Sequence, residues 1–275
     1  MFTYYESPEE LIKDYQKHGS PRGTFYGEMT GQPLVDTILK GDERLVSDAE
    51  KFLEQIEAQV PDTLNKELMP YVYGPILSVP DYLTGVPTPF RRHQLVESTT
   101  APIKLVVALT SSGGVSPRDL KTRGLAITAL VMKLQAVRPV DIIVYSEMDA
   151  VNSKEYFNNN REVSGHSWTP SRGRSILAVK LESRPLSIAH AINMLSNSGI
   201  PRNLMYRLSV AKHGSSGNYW PEDWRTPAYD KWVREQFQAE ENDIFVPATF
   251  LRDEIVHNPV GWINSNLSKL GYIAE

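Results

Sequence analysis

Cysteine is absent from all 275 residues, which removes disulfides, thiolate metal ligands and thiol nucleophiles together. A dominant charge is lacking too. With 29 Lys and Arg against 33 Asp and Glu the net charge is −4, so nothing draws the whole chain to a polyphosphate, and a nucleic-acid role requires a local basic patch. No apolar run has the length of a bilayer span, and the opening "MFTYYESPEELIKDYQKHG" has neither the basic start nor the apolar centre of a signal peptide. The expectation is a cytoplasmic chain without membrane contact. What is present is core material: 41% of the residues are apolar, enough to fold without staples.

The start is helical and irregular. "ESPEELIKDYQKH" reads as a helix with Ser7 as N-cap, Pro8 at the first position and Glu10 at the third, and Leu11, Ile12 and Tyr15 as its apolar stripe. Residues 19–41 are rich in Gly and Pro and read as irregular. "DERLVSDAEKFLEQIEAQV" has helical spacing at Leu45, Ala49, Phe52, Leu53 and Ile56. The proline-rich stretch 60–98 reads as an extended segment lying on the main body. Residues 1–100 are therefore expected to form an extension packed on a core that occupies 101–275.

That core opens with "IKLVVAL" (103–109), a nearly continuous apolar run typical of a strand covered on both faces. A capping box follows, with Ser116, Pro117 and Asp119 at its key positions, and Leu120, Ile127, Leu130, Val131 and Leu134 then make one buried face. "VDIIVYS" (140–146) closes a β-α-β unit. "SILAVKLES", "LMYRLSV" (204–210) and "DIFVPATF" (243–250) read as further strands, with helices in "PLSIAHAINMLSNSG", "DKWVREQF" and "NPVGWINSNLSKLG". Alternating strands and helices predict an α/β domain with a doubly wound, mostly parallel sheet.

Ligands of such sheets sit beyond the carboxyl ends of strands, which singles out the turn 109–116, "LTSSGGVS". Three familiar chemistries fail there. A P-loop needs Lys and a hydroxyl after its last glycine, where Val115 and Ser116 stand; G-x-G-x-x-G and G-x-S-x-G are both absent. Hydroxyls that cap the turn and its helix explain it better, and no nucleophile, base and orienting group can be assembled anywhere in the chain. No catalytic residue and no cofactor is expected.

The run "VVALTSSGG", the long helix "RGLAITALVMKLQAV" and the strand "DIIVYSE" resemble the first β-α-β unit of a von Willebrand factor A-type domain, a Rossmann-like fold. In that superfamily D-x-S-x-S ends the first strand and holds a divalent cation. The matching positions here are Ala108, Thr110 and Ser112, so the hydroxyls are kept and the carboxylate is lost. The resemblance thus implies a degenerate site without metal, because magnesium is held poorly without a carboxylate. More closely, "SPEELI", "SVPDYLTGVPTPFRR", "SSGGVSPRDLKTRGLAITALVMKLQAVRPVDIIV", "ESRPLSIAHAINML" and "WINSNLSKLGY" are similar to an uncharacterised family of bacteriophage-encoded proteins. In that family an Asp often follows "RPL", and Ser187 stands there instead. The resemblance implies an infected host cell as the setting and a phage or host protein as partner, an AAA+ ATPase or a polymerase being of the expected kind. It implies no activity.

Two functional classes follow. The first is a non-catalytic adaptor that binds a protein through Thr110, Ser111 and Ser112 and the loop 213–225, where His213, Tyr219, Trp220 and Trp224 combine mobility with apolar anchors. The second is a nucleic-acid-binding accessory protein of phage transcription or replication. Its candidates are Arg91 and Arg92 in "FRRHQ" and Arg172 and Arg174 in "PSRGR", with aromatics close in sequence. The histidines show no metal-ligand spacing; His190, amid apolar neighbours, reads as a satisfied boundary histidine, and only His166 and His213 lie in Ser/Gly loops.

Overall fold

The computed structural model describes residues 2–18, 31–56, 66–71, 76–95, 102–111, 114–135, 139–150, 173–181, 187–213, 227–240, 243–250 and 252–270. The chain opens with a strand that the sequence did not announce, β1 (Phe2–Tyr5), and turns into α1 (Pro8–Lys17). Ser7 caps α1 through the Glu10 N–H, and the Glu10 carboxylate accepts the Glu6 N–H at 3.0 Å. Leu11, Ile12 and Tyr15 are buried as their spacing requires. α2 (Gly31–Lys40) and α3 (Glu43–Ile56) follow. The expectation of irregular chain over 19–41 is thus corrected for its second part. Pro33 stands in the first turn of α2, where an N–H has no helical partner to lose, and Leu34, Val35 and Ile38 are buried together.

The proline-rich stretch holds β2 (Lys66–Tyr71), β3 (Ile76–Leu77), α4 (Val79–Leu83) and β4 (Phe90–Leu95). Its strands form a small antiparallel sheet in the order β2-β4-β3. Pro70 is accommodated because β2 is an edge strand and can lack one donor.

Next come β5 (Ile103–Ala108), α5 (Pro117–Gln135), β6 (Val140–Ala150), β7 (Gly173–Leu181) and α6 (Ile188–Ser196). A π-helical segment, Ile200–Met205, runs directly into α7 (Tyr206–His213). The strand expected at 204–210 is therefore helical. The run alternates like a strand at Leu204, Tyr206, Leu208 and Val210, but Val210 is exposed, whereas Ile200, Leu204 and Leu208, each four apart, are wholly buried. Helical spacing won because it buries the larger set. α8 (Pro227–Gln236), β8 (Ile244–Val246), α9 (Glu254–His257) and α10 (Pro259–Lys269) complete the chain.

The main sheet has the order β1-β7-β6-β5-β8. Its pairs β1–β7, β5–β6 and β5–β8 are parallel, and β6–β7 is antiparallel from Ile142↔Leu181 to Ala150↔Gly173. The architecture is α/β with a mostly parallel sheet, compatible with a Rossmann-like fold. Residues 2–5 are a strand of this sheet, and α1, α2 and α3 contribute to the same layers as the later helices.

Alternate residues of β5 go to opposite faces. Ile103, Leu105 and Val107 join the larger core with α1, α2, α5, α6 and α10, whereas Val106 and Ala108 meet Tyr229, Val233 and Phe237 in and just after α8. α5 lies at the centre and is buried nearly all round, Leu125 packing toward Ala49 and Ile192 while Ile127 and Leu130 face the sheet. Its start is the predicted capping box: Asp119 N–H donates to Ser116 Oγ at 3.1 Å, and the Asp119 carboxylate accepts the Ser116 N–H at 3.2 Å.

Candidate functional site

The ends of β5 and β8 lie side by side, and they do not end in step. Val107 is paired with Val246, and beyond the strands Ser111 is bridged to Thr249. β5 thus uses four residues where β8 uses three, a one-residue bulge at the place where sheets of this kind bind ligands. Arg123 of α5 fills the disturbed ladder. Its Nη2 donates to Ala108 O at 2.7 Å and to Pro247 O at 3.1 Å. Burial lowers the pKa of this guanidinium to about 10, against the pull of Asp253 and Tyr145, so it stays charged at neutral pH. From the π-helical segment a second buried arginine, Arg202, donates to Val115 O on the same turn. One cation therefore holds the strand ends before the turn and the other the turn itself, both from inside the protein. π-Helical turns of this kind recur at functional sites.

The opposite side of the turn is held by oxygen. Thr110 Oγ1 accepts the Glu147 N–H at 3.0 Å and lies 3.5 Å from Ser146 Oγ. The Glu147 carboxylate accepts the Tyr229 hydroxyl, and burial raises the pKa of Tyr229 and of Tyr145, so both phenols remain neutral. Thr110 and Ser111 are buried with their hydroxyls turned into the protein, and Ser112 lies outside the described residues. Among the described residues no group of three or more His, Asp or Glu side chains could hold a metal. Arg123, Glu147, Tyr229 and Thr249 were missed in the sequence because no motif links them; only the buried-helix position of a lone arginine in "DLKTRGLAITAL" marked one of them.

His213 is not in a loop but ends α7, and it is buried. Its Nδ1 meets Ser175 Oγ, Ser175 Oγ lies 2.9 Å from Ser209 Oγ, and its Nε2 lies 2.9 Å from Thr3 Oγ1. A serine against a histidine suggests a nucleophile and its base. Here Ser175 has no exposed surface, and the second ring nitrogen faces a hydroxyl rather than an orienting carboxylate. The cluster is a fastening of α7 to β7 and β1. Desolvation lowers the His213 pKa, with Lys212 adding to it. Beside it Asp14 accepts from the Tyr5 hydroxyl at 2.6 Å and pairs with Lys212 and His18.

Tyr219, Trp220, Trp224, Arg172 and His166 lie outside the described residues. Arg91 and Arg92 fall on β4, opposite Pro70 and Met69 of β2 respectively, and Arg174 falls on β7 opposite Asp149. His190 uses both ring nitrogens, toward Ser187 Oγ at 2.6 Å and Leu39 O at 2.7 Å.

A surface feature was overlooked in the sequence. α4 buries none of its residues, and Leu77, Val79, Tyr82, Leu83 and Val86 are all exposed, Tyr82 at 61% and Leu83 at 77%. Positions 79, 82 and 83 share one helical face, and Val86 follows just beyond the helix end. The helix ends in a Schellman turn: Gly85 adopts φ +73°, its N–H donates to Tyr82 O at 3.2 Å, and the Val86 N–H donates to Asp81 O at 2.9 Å. The stripe is thus held in shape by backbone hydrogen bonds. The signal was in "SVPDYLTGV", where Pro, apolar spacing and Gly mark a short helix.

In comparison with known proteins, residues 1–258 match the family model described as Domain of unknown function (DUF7192). No curated protein and no solved structure matches the chain.

Proposed function

The chain therefore belongs to that family, whose description carries no activity, and we propose that it is a non-catalytic protein-interaction module on a von Willebrand factor A-like scaffold. The exposed apolar face of α4 carries this reading. Single exposed apolar residues are ordinary, whereas contiguous apolar patches of roughly 300–600 Å² on a soluble protein are often functional. Here five such residues fall within ten positions on a turn whose geometry is set in advance, which lowers the entropic cost of docking. The scaffold assignment is supported by β5, its hydroxyl-bearing turn, α5 and the parallel β6. At the metal position the turn is tied by Arg123, an arrangement suited to structure rather than to metal-bridged adhesion.

The test is the double variant Tyr82→Ser with Leu83→Ser. Both side chains are exposed, so its melting temperature should stay with that of the wild type, while proteins captured by the wild type from the native host are lost. At about 2 kcal/mol per anchor, a measured partner affinity should fall by roughly 30-fold or more for each. Retention of every wild-type partner by a folded variant would refute the surface. The second function class rests on Arg91 and Arg92 of β4, Arg91 being the register partner of Ile76. Salt-sensitive binding of a single-stranded oligonucleotide, lost on Arg91→Ala with Arg92→Ala, would favour it instead.

A further inference from the structure

Three buried polar atoms at the joined ends of β5 and β8 have no hydrogen-bond partner among the described residues: Ser111 Oγ, Thr249 Oγ1 and Arg123 Nε. Their residues are at most 7% exposed. Ser111 and Thr249 are bridge partners across the bulge, and the Arg123 guanidinium is bound to the carbonyls of Ala108 and Pro247, only three and two residues before them. Helix side chains lean toward the helix N-terminus, so Arg123 in the second turn of α5 leans toward this same end of the sheet. A buried donor left unmade is costly, the more so when charged. Native proteins tolerate only a few such atoms, and those that persist call for a cause such as a missing ion or water. All three atoms can donate. A single acceptor placed among them would satisfy all three.

We propose that Ser111, Thr249 and Arg123 form a binding site for a small oxyanion, a phosphate group or a carboxylate. The start of α5, a helix of 19 residues, adds its dipole at the same turn, and Arg202 adds a second positive charge at Val115. Of the neighbouring carboxylates, Asp119 serves the capping box, Asp253 accepts the Phe250 N–H at 2.7 Å while still acting on Arg123 electrostatically, and Glu147 accepts the Tyr229 hydroxyl through one oxygen. The site escapes a P-loop search because its cation comes from within the helix and not from the turn. Gly114 and Ser116, both exposed, bring the solvent surface to its edge.

The experiment titrates the full chain with inorganic phosphate, with acetate in a parallel arm and chloride at matched ionic strength as the reference, following calorimetric heat and melting temperature. Ser111→Ala and Thr249→Val keep the shape and remove one hydroxyl each, leaving the arginine that ties the sheet. Saturable binding is expected, with melting raised by about 5 to 10 °C at a hundredfold excess over Kd. Each variant should weaken binding tenfold or more. In chloride each should melt at or above the wild-type temperature, since an orphaned hydroxyl is gone. Binding of phosphate alone identifies a phosphate group, and binding of acetate alone a carboxylate. Heat and melting curves in both anions that match chloride would overturn the proposal, as would variants that bind like the wild type; ordered water would then serve these atoms.

Discussion

Replacing Gly124 by alanine sets two effects against each other at one residue of α5. In a helix interior alanine is favoured over glycine by about 1 kcal/mol, and on propensity alone the variant would be more stable. Packing opposes this. A Cβ at residue 124 would collide with Ser196 Oγ and lie 2.6 Å from the Leu195 carbonyl oxygen and 2.6 Å from Ser196 Cα. The hydroxyl can rotate away, but the other two atoms are backbone of α6, which would have to withdraw by about 1 Å to restore ordinary contact. It cannot do so freely, because Ile192, Met194 and Leu195 of α6 are buried. Overpacking typically costs 1–3 kcal/mol, and a clash with backbone belongs at the upper end, so the net effect is a loss of about 2 kcal/mol. For a chain of this size that is roughly 4–8 °C in melting temperature, and in urea a lower midpoint at unchanged m. Adding Ser196→Gly removes only the hydroxyl clash and should recover only part of the loss. A Gly124→Ala variant as stable as the wild type would refute the close approach of α5 and α6.

Asp119→Ala breaks the capping box at the start of α5 and should destabilise by about 1 kcal/mol, read as a shifted urea midpoint; no shift would mean that the cap is dispensable. Leu83→Ser alone, at an exposed position, should change stability by no more than about 0.5 kcal/mol, and a larger loss in a thermal melt would show that α4 is covered. The pH dependence follows from His213 and Asp14. His213 has a folded pKa below its unfolded value, so its contribution is present above about pH 6.5 and is lost as pH falls through the folded pKa. At Asp14 desolvation works upward but the hydrogen bonds from Lys212 and Tyr5 prevail and lower the pKa, so stability is again lost toward acid, in a lower window below the usual carboxylate range. Urea midpoints should fall on going from pH 7.5 to 5, and His213→Gln should flatten that stretch; an unchanged slope would remove His213 as its cause.

The fold was legible where one period dominated. Ser7, Ser116 and their acidic partners announced α1 and α5, and the nearly continuous apolar runs of β5, β6 and β7 placed them in one sheet. β1 was not legible because four residues carry too little pattern, although Phe2, Thr3, Tyr4 and Tyr5 are all strand formers. The antiparallel β6–β7 pair had a sign that went unused: the sequence between 151 and 172, "VNSKEYFNNNREVSGHSWTPSR", offers no apolar helical stripe, and a parallel pair needs such a crossover.

The candidate site was legible only as a location. Strand-end logic pointed to the turn 109–116, and the turn is where the bulge, the two arginines and the unpartnered hydroxyls meet. The residues that give the place its chemistry come from α5, β6, α8 and the residues beyond β8, and their meeting is a product of the sheet order β6-β5-β8 rather than of sequence spacing. Motif searches assume that a phosphate site brings its cation within a few residues of its glycines. Here the cation stands nine residues after Gly114, on the inner face of a buried helix, where an arginine reads as an oddity of the core. A charged residue inside an otherwise apolar helical face is therefore the sequence signal to follow: it must have a partner, and among the described residues Arg123 finds the two carbonyls of the broken ladder and the charge of Asp253.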